Sequence, residues 1–254
     1  MKKNLVLLFV IFSIFSLTVA QATDISYCNE RDSNGVLTHT GAASIRGIVT
    51  TNNLDPSSLQ FYVQDSTGGI QVYYSGQAAL YASKGLAIGV DVSITGAVSQ
   101  YYGMAEIVPT IADDIVNNGT GTVPDPKTIT IADLQDLTVA DSVRFGTVGS
   151  LVKLYNAFKA VPTPPGGTAW PTTGNNSNAF YVAVGSESST PVGIIRIDKD
   201  TDVDENAEPT WPQNIRGIMT QNDNTSPHFS VFQIQPTAFS DFTSASGIGD
   251  WNLY

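Results

Sequence analysis

Cysteine and histidine are scarce in this sequence: Cys28 is the one cysteine, and His39 and His228 are the two histidines among 254 residues. A single cysteine excludes an intrachain disulfide. The histidines lie far apart, and the sequence has no His-Glu-x-x-His metal helix, no Walker phosphate loop and no Gly-x-Ser-x-Gly nucleophile turn. We therefore expect that the protein has no catalytic residues and is not an enzyme.

Basic residues are also few. Twelve Lys and Arg stand against 23 Asp and Glu, which gives a formal net charge of -11. A protein that binds bare phosphate backbones normally carries a basic surface. We therefore expect no strong binding of nucleic acid. The hydrophobic content of 42% excludes a disordered acidic polymer.

Long apolar runs are confined to the N-terminus. Residues 5–19 are apolar, follow Lys2 and Lys3, and precede the small-x-small sequence Ala20-Gln21-Ala22. This pattern predicts a signal peptide over residues 1–22. The alternative is an N-terminal membrane anchor, but the run is short for a span of ~18 or more apolar residues. We expect a protein that is secreted or displayed at the cell surface, with no membrane span.

Glycine, proline, threonine, serine and β-branched residues are abundant, which is typical of short strands joined by turns. Two motifs recur: Phe-Tyr-Val at 61–63 and 180–182, and Ile-x-Pro-Thr at 107–110 and 234–237. Two related units explain this repetition. The predicted organisation is a lead-in over 23–40, unit one over 41–112, a linker over 113–140, unit two over 141–243 and a tail over 244–254.

Unit one alternates polar and apolar residues with a period of two. The pattern predicts strands near 44–50, 59–64, 70–74, 90–100 and 104–108, with one helix over 77–84 that Gly85 ends. Three strands, a helix and two strands is the order of an OB barrel, although other small barrels share it.

Residues 61–73, Phe-Tyr-Val-Gln-Asp-Ser-Thr-Gly-Gly-Ile-Gln-Val-Tyr, resemble the strand 2–turn–strand 3 signature of OB-like domains attached to secreted bacterial nucleases. Residues 92–96 and 103–107 resemble the last two strands of that family. Unit two shares only residues 180–182 and the closing strands. The resemblance implies an all-β protein of two tandem five-stranded OB-like barrels, each with at most one short helix. It implies a binding or accessory role, since the family's catalysis resides in separate nuclease domains.

The last six residues, 249–254, resemble the lead-in to the C-terminal sorting domains of proteins exported by the type IX system. The alternative is an ordinary frayed end.

OB barrels usually bind ligands on the outer face of strands 2 and 3. Tyrosine and glutamine on that face suit stacking and hydrogen bonding to sugars or bases. The alternative is that they are ordinary strand residues, since tyrosine favours strands. The predicted ligand-binding positions are Tyr62, Gln64, Gln71 and Tyr73 in unit one, and Tyr181 and Arg196 in unit two.

A proline-rich loop over 162–178 carries Trp170 among amide and hydroxyl residues. Its indole would either anchor a ligand or fold back as a lid over the end of the barrel. The predicted ligand-binding positions also include Trp170.

Four aspartates alternate along the chain after a predicted strand: Asp198, Asp200, Asp202 and Asp204. Closely spaced carboxylates suit calcium, which would be the sole cofactor. The sixth position of an EF-hand loop, however, is Val203 rather than glycine, and the alternative is a solvated acidic loop.

Together these features predict a secreted, non-catalytic binding or assembly protein. Because the chain is acidic, we expect its partner to be a polymeric carbohydrate or another surface protein rather than DNA. Two alternatives stay open: a structural or adhesive subunit of a cell surface or filament, which would self-associate, and a nucleic-acid-binding accessory part of a longer extracellular nuclease.

Overall fold

The computed structural model describes residues 22–160, 170–171, 178–184 and 192–245. The predicted signal peptide, apart from its last residue, and the sequence 249–254 lie outside the described residues, as does most of the loop over 162–178. The strands are β1 (Gly41–Val49), β2 (Leu59–Gln64), β3 (Gly69–Tyr74), β4 (Val90–Tyr101), β5 (Met104–Val108), β6 (Ile115–Thr120), β7 (Lys127–Ile129), β8 (Leu151–Lys159), β9 (Asn178–Val184), β10 (Gly193–Ile197), β11 (Gln213–Gln221), β12 (Phe232–Gln235) and β13 (Phe242–Ser244). The short helices are α1 (Ile25–Cys28), α2 (Ala79–Ser83) and α3 (Ser142–Phe145).

Strands β1 to β5 close into the first barrel. Antiparallel pairs join β1 to β2, β2 to β3, β4 to β5 and β1 to β4, while β3 and β5 run parallel. The alternating apolar residues of β2, such as Phe61 and Val63, point into the core and are fully buried. Helix α2 lies between β3 and β4, where the ring of Tyr81 packs edge-on against Phe61 at 5.7 Å between centroids. This is the OB arrangement.

Strands β8 to β12 form the second barrel with the same pairing, including a parallel pair of β10 and β12. Phe61 pairs with Val72 in barrel 1, and Phe180 pairs with Ile195 in barrel 2, so the repeated Phe-Tyr-Val motif occupies equivalent places. Of the β9 side chains only Val182 is described, and it is buried. The predicted all-β fold of two tandem OB-like barrels is confirmed.

Each barrel continues into a sixth strand through the same turn. The backbone N–H of Thr110 donates to Asp114 Oδ2 at 2.8 Å, and that of Thr237 donates to Asp241 Oδ2 at 2.8 Å. Strand β6 then pairs with β4, and β13 with β11. The segment 113–140, interpreted as a linker, therefore contains β6 of the first sheet and β7, which runs parallel to β8 in the second.

The lead-in packs against both barrels. Cys28 is buried in the core of barrel 1, and burial, with a smaller contribution from Asp65, raises the pKa of its thiol to about 11. The guanidinium of Arg31 lies 4.7 Å from the centroid of the Phe145 ring, which belongs to the core of barrel 2. Its Nη1 donates to Gly103 O of barrel 1 at 2.6 Å. The lead-in thus connects the barrels.

The barrels also contact each other directly. The Gly69 backbone of barrel 1 touches the backbone of Gly149, just before β8, so closely that no side chain fits between them. Next to this contact, Leu151 N–H donates to Gln64 Oε1 at 2.8 Å. A small apolar cluster spans the junction: Leu54, Tyr62, Leu151 and Ile218. The outer face of β2 and β3 is therefore turned toward barrel 2.

Candidate functional site

A cleft of about 590 Å³ lies where the two barrels face each other. Strands β2, β3 and β5 form one wall and β10, β11 and β12 form the other. Both walls are polar because side chains alternate along a strand and the apolar ones point into each core. The wall of barrel 1 presents Tyr62, Gln71, Tyr73, Met104 and Glu106. The wall of barrel 2 presents Arg196, Thr220, Gln221, Gln233 and Gln235.

Four of the predicted ligand-binding residues meet in this cleft: Tyr62, Gln71 and Tyr73 from barrel 1, and Arg196 from barrel 2. Their face is not an open platform, because barrel 2 covers it and leaves Tyr62 1% and Gln71 4% exposed. Gln64 does not line the cleft. It is 3% exposed and accepts the hydrogen bond from Leu151, so it holds the barrels together instead.

The wall of barrel 1 is ordered by hydrogen bonds between side chains. The Tyr62 hydroxyl donates to Gln71 Oε1 at 3.0 Å, and burial raises the pKa of this phenol. Ser99 Oγ donates to Glu106 Oε1 at 3.0 Å. Burial raises the pKa of Glu106 above its ordinary value, while the Ser99 hydrogen bond lowers it by less.

The wall of barrel 2 carries an ion pair and a row of amides. Arg196 Nη2 lies 3.8 Å from Asp198 Oδ2, which also accepts a hydrogen bond from Gln235 Nε2 at 3.4 Å. Gln221 Nε2 donates to the carbonyls of His228 and Ser230 at 3.0 and 3.1 Å. These two bonds fix the amide, and Gln221 Oε1 is buried without a hydrogen-bond partner among the described residues.

The rim of the cleft comes from the loops that join strands 1–2 and 4–5 of barrel 1. Tyr101 and Tyr102 form an edge-to-face pair at 4.5 Å between centroids, and they are 56% and 37% exposed. Tyr102 has a φ of 48°, and Asp223 of barrel 2 donates its N–H to the Tyr102 carbonyl at 2.9 Å. Tyr101 and Tyr102 are not among the positions predicted from the sequence. The signal was present as Tyr-Tyr-Gly in the 4–5 loop, which borders the ligand site of OB barrels.

The cleft is acidic. Asp55, Glu106 and Asp198 line it, and Arg196 is the one basic side chain in its lining among the described residues. Burial raises the pKa of Asp55, but hydrogen bonds from Ser57 and Ser58 outweigh this and lower it overall. The arrangement offers hydrogen-bond acceptors and aromatic rings and disfavours a polyanion.

Trp170 lies away from the cleft, at the end of barrel 2. Its ring packs edge-on against Phe242 at 5.5 Å between centroids, and its Nε1 donates to Asn206 O at 2.9 Å. This is the lid arrangement, so we do not include Trp170 in the candidate site. Tyr181 pairs with Ile194 through its backbone, and its side chain is not among those that the structure describes.

The alternating aspartates turn to different partners. Asp198 faces Arg196, Asp200 accepts from Lys199 Nζ at 2.7 Å, and Asp202 Oδ1 accepts from Phe239 N–H at 2.7 Å. Asp204 is buried. Within the ranges that the structure describes, no three His, Cys, Asp or Glu side chains are grouped so as to hold a metal ion. The four carboxylates therefore do not converge on one point.

These features define a class: a tandem OB-fold protein whose barrels pack face to face around a polar cleft. Within the described part of the chain, no helix has the length and apolarity needed to cross a membrane. No model of a known protein family matches the chain.

The chain is similar to endonuclease YhcR of Bacillus subtilis (strain 168), with 32% identity over 132 residues. The matched stretch is 51% of this chain and 10% of that protein. Among solved structures, the hypothetical protein ygiW of E. coli is 17% identical, with a TM-score of 0.28 over 38% of this chain and 89% of that one. The mitochondrial single-stranded DNA-binding protein Rim1 of S. cerevisiae is 13% identical, with a TM-score of 0.27 over 33% and 99%. The comparisons thus associate half of this chain with a nuclease-related protein.

Proposed function

We propose that this protein is an exported, non-catalytic carbohydrate-binding module, and that a short stretch of a polysaccharide occupies the cleft between the barrels. The observation that supports the proposal is the composition of the cleft, which combines tyrosine rings, amides and carboxylates in a space of about 590 Å³. Pockets for small ligands commonly measure about 300–1,000 Å³.

The chemistry of the cleft suits a sugar. Tyr73, Tyr101 and Tyr102 offer flat apolar rings for the C–H face of a pyranose, with hydroxyls at their edges. The amides of Gln71, Gln233 and Gln235 can both donate and accept, as sugar hydroxyls do. OB barrels bind oligosaccharides as well as oligonucleotides with this part of the fold.

The same cleft is unfavourable for nucleic acid. An extended single strand would normally lie across strands 2 and 3, and barrel 2 covers that face. A phosphate in the cleft would meet Asp55, Glu106 and Asp198, with only Arg196 to offset them, and Arg196 already faces Asp198. We therefore prefer a neutral or basic ligand.

Calorimetric titration of β-1,4-linked glucose and N-acetylglucosamine tetramers into the purified protein tests the proposal. We expect saturable binding that Tyr101→Ala weakens about tenfold, the loss typical of one stacked ring. Tyr155→Ala is the matched control, because Tyr155 is 39% exposed on β8 and lies outside the cleft. If no glycan binds, or if both variants weaken binding equally, the cleft is not a carbohydrate site.

A second candidate is supported by the similarity to the endonuclease: an accessory nucleic-acid-binding part of a longer extracellular nuclease. The same titration with single-stranded DNA distinguishes the two. Submicromolar affinity at about 0.15 M salt, the physiological ionic strength, together with no glycan binding, would favour this second function.

Export is part of the proposal and has its own test. Residues 1–22 carry the pattern of a signal peptide, so expression of the full sequence in its host should yield a chain shortened at its N-terminus. N-terminal sequencing of the purified protein would locate the cleavage, and an intact Met1 would contradict it.

A further inference from the structure

Glu106 occupies the centre of the barrel 1 wall. It lies on β5 between Gln71 of β3 and Ser99 of β4, to which it is paired in register. Glu106 is 9% exposed, and Ser99 Oγ donates to its Oε1. Within the described part of the chain, no basic group lies within 4.0 Å of its carboxylate. An ionised carboxylate in such a place is costly unless a cation accompanies it.

Two tyrosines flank this carboxylate on the same face of the sheet, and a third packs against one of them. Tyr73 follows Gln71 by two residues on β3, and Tyr101 follows Ser99 by two residues on β4, so both point to the side that Glu106 faces. Tyr102 packs edge-on against Tyr101. The faces of tyrosine rings attract cations, most strongly where water is excluded. A carboxylate flanked by aromatic rings is therefore suited to an ammonium group.

The opposite wall also carries an unpaired acceptor, which packs against Gly103 in the loop between β4 and β5. Gln221 is 1% exposed and lines the cleft, and its Oε1 is a buried acceptor with no donor among the described residues. The amide cannot flip without losing its bonds to His228 and Ser230. Arg196, the basic residue of this wall, already faces Asp198. Among the described residues that line the cleft, the buried side-chain atom without a partner is thus an acceptor.

We propose that the cleft prefers glycans that carry a free, protonated amine, and that this ammonium group rests on Glu106 between Tyr73 and Tyr101. The ligand class is therefore an amino sugar of the glucosamine type, whose hydroxyls donate to the remaining acceptors. This inference rests on the proposed carbohydrate-binding function and specifies the ligand of the same site.

The test compares three tetramers of equal length and linkage: β-1,4-glucose, β-1,4-N-acetylglucosamine and β-1,4-glucosamine. Each is titrated into the wild-type protein by calorimetry in buffers from mildly acidic to neutral pH, so that the series covers conditions in which the amine is protonated and Glu106 is ionised. We expect the glucosamine tetramer to bind about tenfold more tightly than the glucose tetramer, the gain of one charge-assisted contact. The N-acetylglucosamine tetramer should resemble glucose, because acetylation removes the charge.

Glu106→Gln keeps the shape of the side chain and removes its charge. This variant should lose the tenfold preference for the amine, so that it binds the glucosamine and glucose tetramers with equal affinity. Glu30→Gln is the matched control, because Glu30 is an exposed acidic residue outside the cleft, and it should keep the preference.

The outcomes distinguish the failure of carbohydrate binding from the failure of the amine preference. If neutral tetramers bind and the amine gives no advantage to the wild type, the inference is overturned while carbohydrate binding stands. If no tetramer binds, the proposed function fails and the inference with it. Because the wild-type comparison needs no variant, it decides the question even if Glu106→Gln proves unstable. If Glu106→Gln is folded and keeps the preference, another group holds the ammonium.

Discussion

A methyl group added at Gly69 tests whether the two barrels meet as described. An alanine Cβ at this position would overlap the Gly149 carbonyl and the start of Ser150, which are backbone atoms of barrel 2 that cannot rotate away. Gly69→Ala must therefore push the barrels apart or bend β3. Overpacking of this kind costs typically about 1–3 kcal/mol.

Gly68 provides a matched control in the adjacent position. A Cβ there would have its nearest neighbours at 3.6 and 3.7 Å, which is ordinary van der Waals contact. Gly68→Ala also reduces the conformational entropy of the unfolded chain, which stabilises the native state by roughly 0.4–1 kcal/mol. We expect this variant to melt at or slightly above the wild-type temperature.

The comparison is made by thermal unfolding. For a protein of this size, 1 kcal/mol shifts the melting temperature by about 2–4 °C, so Gly69→Ala should melt roughly 2–12 °C below wild type. The glycan titration should weaken in the same variant, since the walls of the cleft belong to different barrels. If Gly69→Ala and Gly68→Ala have the same melting temperature and binding, the barrels do not meet at Gly69 and the cleft is not built as we describe.

Three further predictions concern single sites. Trp170→Ala should lower the free energy of unfolding by roughly 2 kcal/mol, less than the 3–5 kcal/mol typical of a fully buried tryptophan, and should leave glycan binding unchanged. A variant that loses binding and keeps its stability would show that Trp170 belongs to the ligand site. Burial raises the pKa of the Glu106 carboxyl above its ordinary value of 4.5. The native protein therefore stays protonated at Glu106 at pH values where the unfolded chain is ionised, and the free energy of unfolding falls as the pH rises from 4.5 through the raised pKa. Melting temperatures of Glu106→Gln should therefore fall less than those of wild type over this interval, and parallel curves would contradict the assigned burial. Because Asp198, Asp200 and Asp202 have separate partners, melting in millimolar calcium and in chelator should coincide; a rise with calcium would show that the loop rearranges into a binding site.

In unit one the alternation of apolar and polar residues predicted five strands and their buried faces, while the OB barrel was what the resemblance of residues 61–73 implied. In β2 and β3 the apolar members are buried and pair across the strands, because a period of two leaves only one face for the core. The repeated Phe-Tyr-Val and Ile-x-Pro-Thr motifs predicted a second barrel, and they occupy equivalent positions in the register. The predicted helix over 77–84 is shorter, Ala79–Ser83.

The tertiary structure alone decided what the polar faces do. The sequence does not distinguish polar residues that face water from polar residues that a second protein surface covers, as it covers Tyr62, Gln64 and Gln71. The alternation of apolar and polar residues shows only which residues point away from the core of their own barrel. The barrels meet where the backbones of Gly69 and Gly149, 80 residues apart, come into contact. Because glycine has no side chain, this contact cannot be predicted from a side-chain pattern in the sequence. The cleft and the burial of Glu106 within it follow from that packing. They depend on contacts between distant segments, which local periodicity does not encode.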